Sequence, residues 1–192
     1  MTGHGADGPE LWLVRHGETE WSRDGRHTSS TDLPLTARGE HAARALREQL
    51  ADTAFDLVLC SPRRRATHTA ELAGFDDLSI EADLTEWHYG DYEGITTPQI
   101  RELDPGWWLW TDGCPGGELP HQVQQRCDRV IARVREHTGR VLTVGHGHAL
   151  RALTARWLNL PIETGASFLL HTSTVSVLAY DRGTPVVERL NA

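Results

Sequence analysis

The chain has 192 residues, 39% of them hydrophobic, and a formal net charge of −8 at pH 7; that suffices for the buried core of one domain over 1–192, and it is too acidic for nucleic-acid binding through a broad basic surface. No run approaches the ~20 apolar residues of a membrane span, and residues 1–9 lack the basic-then-apolar pattern of a signal peptide. Cys60, Cys114 and Cys127 are widely spaced with no CxxC, which argues against a disulfide framework or a cysteine zinc site and for a reducing, cytoplasmic setting.

Leu11-Trp12-Leu13-Val14 is a short apolar run ending abruptly in Arg15-His16-Gly17, the pattern of a buried strand that delivers polar residues at its C-terminal end. Thr36 reads as the N-cap of a helix in which Ala42, Ala43, Leu46 and Leu50 recur at helical spacing. A second buried strand at 57–60 runs into Ser61-Pro62, read as a cap with proline at the first helical position, and that helix extends to about Gly74. Residues 78–80 are short and strand-like. The stretch 86–118 is rich in Gly, Pro, Trp and acids and reads as a lid-like insertion of loops and short helices, one of them over 97–103. A helix over 123–134, a strand over 140–144 that ends in Gly145-His146-Gly147-His148, and a helix over 149–158 follow. Residues 173–180 and 184–190 form a hairpin pair around Asp181-Arg182-Gly183. Strands alternating with helices imply an α/β fold of three layers with a mostly parallel central sheet.

In open α/β sheets ligands bind at the carboxyl ends of the strands. Three predicted strands end in reactive or cationic residues: Arg15-His16-Gly17-Glu18-Thr19, Ser61-Pro62-Arg63-Arg64-Arg65 and Gly145-His146-Gly147-His148. Glycine after each histidine lets the backbone approach a ligand closely. Arginine forks and helix N-terminal N–H groups make an anion site. Together these describe a phosphate pocket containing an imidazole nucleophile. Singly, each piece has an ordinary explanation: a solvated arginine run, a satisfied strand-end histidine, or a His146/His148 metal site that lacks a neighbouring carboxylate. The joint pattern on three strand ends favours chemistry. All 19 cations are arginines; base composition accounts for that, but the absence of lysine removes Schiff-base and P-loop mechanisms.

The run Leu13-Val14-Arg15-His16-Gly17-Glu18-Thr19-Glu20-Trp21 resembles the RHGE(T/S)xW signature of the histidine phosphatase superfamily, with its phosphoglycerate-mutase-like fold. Residues 35–39, Ser61-Pro62-Arg63-Arg64-Arg65-Ala66, residues 84–94 and Val144-Gly145-His146-Gly147 are similar to its further blocks, in the family order. The resemblance implies His16 as the nucleophile that becomes phosphorylated, and Arg15 and Arg65 as clamps on the phosphoryl oxygens. It implies His146 as a donor to the phosphoryl group and Glu86 as proton donor to the leaving oxygen, with no metal or organic cofactor. Ser22, Thr28 and Ser29 are implied to line the pocket, and Tyr89 and Gly147 to touch substrate. An incoming phosphate dianion and burial beside Trp87 and Tyr89 are expected to favour the protonated acid at Glu86; water then attacks phosphohistidine with Glu86 as base. The expected partner is a small phosphorylated metabolite, with a homodimer as the open assembly.

Hydrolysis and phosphoryl transfer back to a substrate can share such a pocket. Mutases of the family hold a small carboxylate with a lysine and an arginine pair after the acid block. Here the segment has no lysine, Thr97 falls about where it would sit, and residues 105–118 carry Trp107, Trp108, Trp110, Asp112 and Glu118 instead of an arginine pair. An acidic lid suits a carboxylate poorly. The tryptophans either cover an apolar or sugar-like leaving group or pack the insertion onto the domain. The whole resembles an actinobacterial acid phosphatase subgroup and the sedoheptulose-bisphosphatase-like branch, so the expectation is a phosphomonoesterase of broad or sugar-phosphate specificity. The alternatives are a cofactor-dependent phosphoglycerate mutase and a phosphate-binding protein without turnover.

Overall fold

Consecutive large apolar residues suit a strand buried on both faces. In the computed structural model, which describes residues 8–192, β1 (Glu10–Arg15) is such a strand: Leu11 and Leu13 enter one core, Trp12 and Val14 the other. In chain order there follow α1 (Glu20–Arg23), α2 (Ala37–Leu50), β2 (Leu57–Cys60), α3 (Arg64–Leu72), β3 (Ser79–Ile80), α4 (Thr97–Leu103), α5 (Leu109–Asp112), α6 (Pro120–Val134), β4 (Arg140–Gly145), α7 (Gly147–Trp157), β5 (Val175–Asp181) and β6 (Thr184–Arg189). Short 3-10 turns lie at Ala82–Leu84, Gly90–Tyr92 and Ile162–Ser167.

The strands make one sheet in the order β3-β2-β4-β1-β5-β6. Pairing is parallel from β3 through β1; β5 runs antiparallel to β1, and β6 antiparallel to β5. Leu46 and Leu50 of α2 and Ala66 and Ala70 of α3 pack on one face. Val123, Val130 and Val134 of α6 and Leu150, Leu153 and Trp157 of α7 pack on the other, together with the apolar residues of 86–118. The three-layer, mostly parallel α/β architecture read from the sequence is the one observed.

Several boundaries differ from the sequence reading, each for a tertiary reason. Helix α3 starts at Arg64, not at Pro62, and Ser61 is not its cap: the Ser61 hydroxyl lies 2.7 Å from His146 Nε2, and Asp32 caps the helix by accepting the Arg64 N–H at 2.9 Å. Helix α7 starts at Gly147 because the N–H groups of His148 and Ala149 find an acceptor in Glu86. Helix α6 begins at Pro120, a residue whose missing N–H suits a first turn. The Thr36 cap stands as read, accepting from the Gly39 N–H at 3.0 Å. The β5–β6 hairpin turns through Arg182 (φ 51°) and Gly183 (φ 77°), two positive φ values that match the twist of a tight hairpin.

The neighbouring strands β2, β4 and β1 finish level, with Arg15 opposite Gly145 and Cys60 opposite Val144. The His16 N–H donates to the Gly145 carbonyl at 2.9 Å and the Ser61 N–H to that of Val144 at 3.0 Å. His16, His146 and Ser61, each the residue after a strand, therefore lie side by side at one sheet edge, where the chain's crossovers diverge.

Candidate active site

His16 and His146 meet with ring centroids 5.1 Å apart. The Nδ1 atom of His16 lies 2.7 Å from the Gly17 carbonyl oxygen. A carbonyl can only accept, so Nδ1 carries the proton and Nε2 keeps its lone pair. Burial, then the charges of Arg65 and Arg15, hold the His16 imidazole well below the usual histidine range. The group is thus a neutral imidazole with one nucleophilic nitrogen.

Arg15 donates Nη1 to the Leu170 carbonyl at 2.7 Å, while its Nε is buried with no partner among the described residues. A Cβ on Gly147 would stand 3.3 Å from Arg15 Cζ, so glycine there lets the guanidinium lie against the start of α7. Arg65 is fully buried. Its Nε donates to His146 Nδ1 at 3.1 Å, Nη1 to the Thr31 carbonyl at 3.0 Å, and Nη2 to the carbonyls of Thr28 and Ser29. Because Nδ1 of His146 accepts from Arg65, the His146 proton sits on Nε2 and points to the Ser61 hydroxyl. Burial, then the Arg65 charge, keeps His146 neutral well below the usual range.

Glu86, 7% exposed, accepts backbone N–H groups from Trp87 at 2.9 Å, His148 at 3.0 Å and Ala149 at 2.8 Å. The helix N-termini expected to cradle a ligand are thus occupied by the chain's own carboxylates, Glu86 on α7 and Asp32 on α3.

A cavity of about 190 Å³ opens against this edge. Arg15, His16, Glu86 and Gly147 line it. Ser22, Thr28 and Tyr89, named from the sequence, also line it. Ser29 stands behind the wall, buried, with its hydroxyl donating to Glu93. Arg65 and His146 likewise support the wall from within rather than lining the open cavity.

Four residues here had no assigned site role in the sequence reading, although one of them, His148, was read as part of a strand-end run. His27 lines the cavity with Nδ1 donating to the Ile95 carbonyl at 2.9 Å, and nothing in its polar surroundings marked it. His148 stacks parallel to His27 at 6.0 Å, its Nδ1 lying 2.6 Å from the Tyr89 hydroxyl; burial, then the Arg151 charge, keeps it neutral. Arg151 shares a face of α7 with His148, a spacing visible in the sequence. Glu93 accepts the N–H groups of Ser29 and Thr31 and the Ser29 hydroxyl. Burial pushes the Glu93 carboxyl up, but those bonds outweigh it and hold it below the usual carboxylate range. Loop 28–31 is therefore gripped from both sides, its N–H groups by Glu93 and its carbonyls by Arg65.

Trp87, Trp107 and Trp110 pack rather than cover the opening, while Trp108 is exposed and does not line the cavity. Trp87, Trp107 and Trp110 are buried, with Trp107 against His27 and Trp110 against both His148 and Arg151. They form an apolar layer behind the polar lining. Asp112 and Glu118 do not make an acidic lid either. Asp112 accepts from the Trp108 N–H, while Glu118 pairs with buried Arg126 at 2.8 Å and accepts from the His88 N–H. His146 and His148 diverge, one toward His16 and the other toward Tyr89, and no group of three or more His, Cys, Asp or Glu among the described residues could hold a metal ion.

Residues 11–192 match the family model of the histidine phosphatase superfamily, branch 1. The chain belongs to that superfamily. Among its relatives, an acid phosphatase of Mycobacterium tuberculosis is 45% identical over 177 residues, covering 90% of this chain and 87% of that protein. A sedoheptulose 1,7-bisphosphatase of Saccharomyces cerevisiae is 37% identical over 81% of this chain and 69% of that protein. A solved structure of an open reading frame product from Mycobacterium tuberculosis superposes with a TM-score of 0.91 at 43% identity, covering 95% of this chain and 96% of that one.

Proposed function

We propose that this chain hydrolyses phosphate monoesters of small metabolites through a phosphohistidine on His16. One observation carries the reading: a neutral imidazole whose Nδ1 is tied to the Gly17 carbonyl, beside Arg15 with a buried, unpartnered Nε, on a cavity that Glu86 also lines. Phosphoryl transfer asks chiefly for positioning and for charge on the transferring oxygens. Arg15 supplies donors and charge directly. Arg65 adds its field and fixes His146 and loop 28–31. The His16 Nε2 lone pair attacks phosphorus, the phosphorus–oxygen bond breaks, and Glu86 protonates the leaving oxygen. Glu86 then takes a proton from water as it attacks the phosphohistidine, and the nitrogen–phosphorus electron pair returns to His16. Relatives named as an acid phosphatase and a sedoheptulose bisphosphatase support hydrolysis as the outcome.

The test is turnover of p-nitrophenyl phosphate by wild type and His16→Ala. The variant is expected to lose roughly 10³-fold or more in rate with an unchanged circular dichroism spectrum. A folded His16→Ala variant that keeps the wild-type rate sinks the proposal.

The same reading takes a reducing cytoplasm as the setting. Cys60, Cys114 and Cys127 are buried free thiols, each pushed up to about 12 by burial, which suits that setting. Among the described residues no helix is long and apolar enough to cross a membrane. A homodimer is the proposed assembly; light scattering that gives a monomer mass at working concentration overturns it.

A further inference from the structure

Arg15 Nη1 donates to the Leu170 carbonyl at 2.7 Å, and its guanidinium makes no other hydrogen bond among the described residues. The Glu86 charge also acts on it, without a hydrogen bond. The direction in which the Leu170 carbonyl points therefore sets the direction of the fork. The other end of the same peptide group is the His171 N–H, which donates to Asn191 Oδ1 at 2.9 Å. A trans peptide is planar, with its C=O and N–H pointing opposite ways. Asn191 Oδ1, the 170–171 peptide and Arg15 Nη1 thus form one hydrogen-bond chain across a rigid unit.

Asn191 follows β6 and is itself held. Its backbone N–H donates to Ser176 Oγ at 3.0 Å, and Ser176 sits on β5 opposite Leu13 of β1, the strand that ends in Arg15. Its φ of 55° is a left-handed conformation that asparagine tolerates better than most side chains. The amide has one possible orientation, because an N–H faces one end and a carbonyl the other. Oδ1 accepts from the His171 N–H and from the Thr174 hydroxyl at 3.0 Å, while Nδ2 donates to the Leu169 carbonyl at 2.6 Å. The side chain therefore grips the backbone immediately before and after Leu170. On the other side of the segment, the Ser173 N–H donates to the Arg15 carbonyl at 2.9 Å. Residues 169–174 form no helix or strand. These bonds and the buried Leu170 side chain fix their path, and Leu169 and Leu170 make part of the cavity wall.

We infer that Asn191 is a positioning residue for phosphoryl transfer: through the 170–171 peptide it aims the Arg15 fork at the transferring oxygens. This rests on the hydrolase reading above and deepens it. A hydrogen bond at one end of a peptide group polarises the bond at the other, so Asn191 acts on both the orientation and the anchoring of Arg15 without touching substrate.

The experiment is a double-mutant cycle on wild type, Asn191→Gly, Arg15→Ala and the double variant. It reads kcat/KM for p-nitrophenyl phosphate, and the dissociation constant of inorganic phosphate by calorimetry. Glycine accepts the positive φ and removes only the amide. Asn191→Gly is expected to lower kcat/KM about fivefold and to weaken phosphate binding by a similar factor, the range of a lost hydrogen bond. In the Arg15→Ala background the same substitution is expected to change kcat/KM by less than about twofold. Asn191→Asp keeps the acceptor for His171 and loses the donor to Leu169. It is expected to fall between wild type and Asn191→Gly, and it carries the same cycle should Asn191→Gly not fold. No loss, or a loss of equal size with and without the Arg15 guanidinium, overturns this inference and leaves the hydrolase reading standing. Absence of turnover in wild type overturns the hydrolase reading; the phosphate constants then decide this inference, and a constant that the Asn191 variants leave unchanged overturns it as well.

Discussion

His16 attacks only while its ring is neutral, and the same burial and neighbouring arginines that expose it to substrate phosphate keep it so. Its folded pKa lies below the ordinary histidine value of about 6.5. Nucleophilicity therefore persists as pH falls through that value and is lost only at lower pH. A pH profile of kcat/KM for an aryl phosphate, corrected for the ionisation of the ester, is expected to place the enzyme's acid limb below about 6.5; a limb at or above it contradicts the assignment. Glu93 acts at one remove. Removing its charge by Glu93→Gln weakens several charge-assisted bonds to Ser29 and Thr31, at a cost of about 1–3 kcal/mol. Because Arg65 grips the carbonyls of the same loop, kcat should fall with it, and Glu93→Asp should recover part of the rate. A Glu93→Gln variant with wild-type stability in urea and wild-type kcat removes this positioning role.

Secondary structure was legible where local pattern decides it. The apolar runs of β1, β2 and β4, the helical spacing of Leu46 and Leu50, and the Thr36 cap lie where the sequence puts them. The starts of α3 and α7 were not legible, because side chains distant in sequence cap them: Asp32 reaches Arg64, and Glu86 reaches His148 and Ala149. Within the site, Arg15, His16 and Glu86 were legible as a set because each belongs to a motif. Arg65 was legible as a functional arginine, but its carbonyl partners in loop 28–31 were not, since a loop's path has no sequence period. The tryptophans of 86–118 carried two meanings, and burial decides for packing at Trp87, Trp107 and Trp110 but not at exposed Trp108. Trp110→Ala should cost about 3–5 kcal/mol. A folded variant of unchanged stability contradicts the packing role. Gly90 is the hinge of the same segment: φ is 53°, and a Cβ would lie 2.1 Å from the Pro115 carbonyl oxygen, so the backbone pairing of 88–91 with 115–118 requires glycine there.

Over the whole molecule, three buried histidines and the half-buried His148 gather at the site. His16, His27, His146 and His148 all have their affinity for protons lowered, with burial the leading cause. In the unfolded chain the same groups titrate near 6.5. Below that pH the unfolded state binds more protons than the folded state, so stability falls as pH falls, and the loss ends once the folded groups also titrate. Thermal melts are expected to show Tm decreasing between about pH 7 and 5, and a Tm that rises over that window contradicts the burial of neutral imidazoles. The molecule therefore holds its reactive edge neutral at some expense to acid stability.

The central claim is that His16 carries the phosphoryl group. It is tested most directly by acid- or base-quenching the protein within its first turnovers of p-nitrophenyl phosphate and mapping the modified residue by mass spectrometry. p-Nitrophenolate leaves without needing a proton, so Glu86→Gln should slow the attack of water more than the formation of the intermediate, and phosphoenzyme should accumulate. The expected result is a base-stable, acid-labile phosphoryl group on His16, more abundant in Glu86→Gln than in wild type and absent from His16→Ala. A phosphoryl group on any other residue, or continued turnover with His16 never modified, contradicts it.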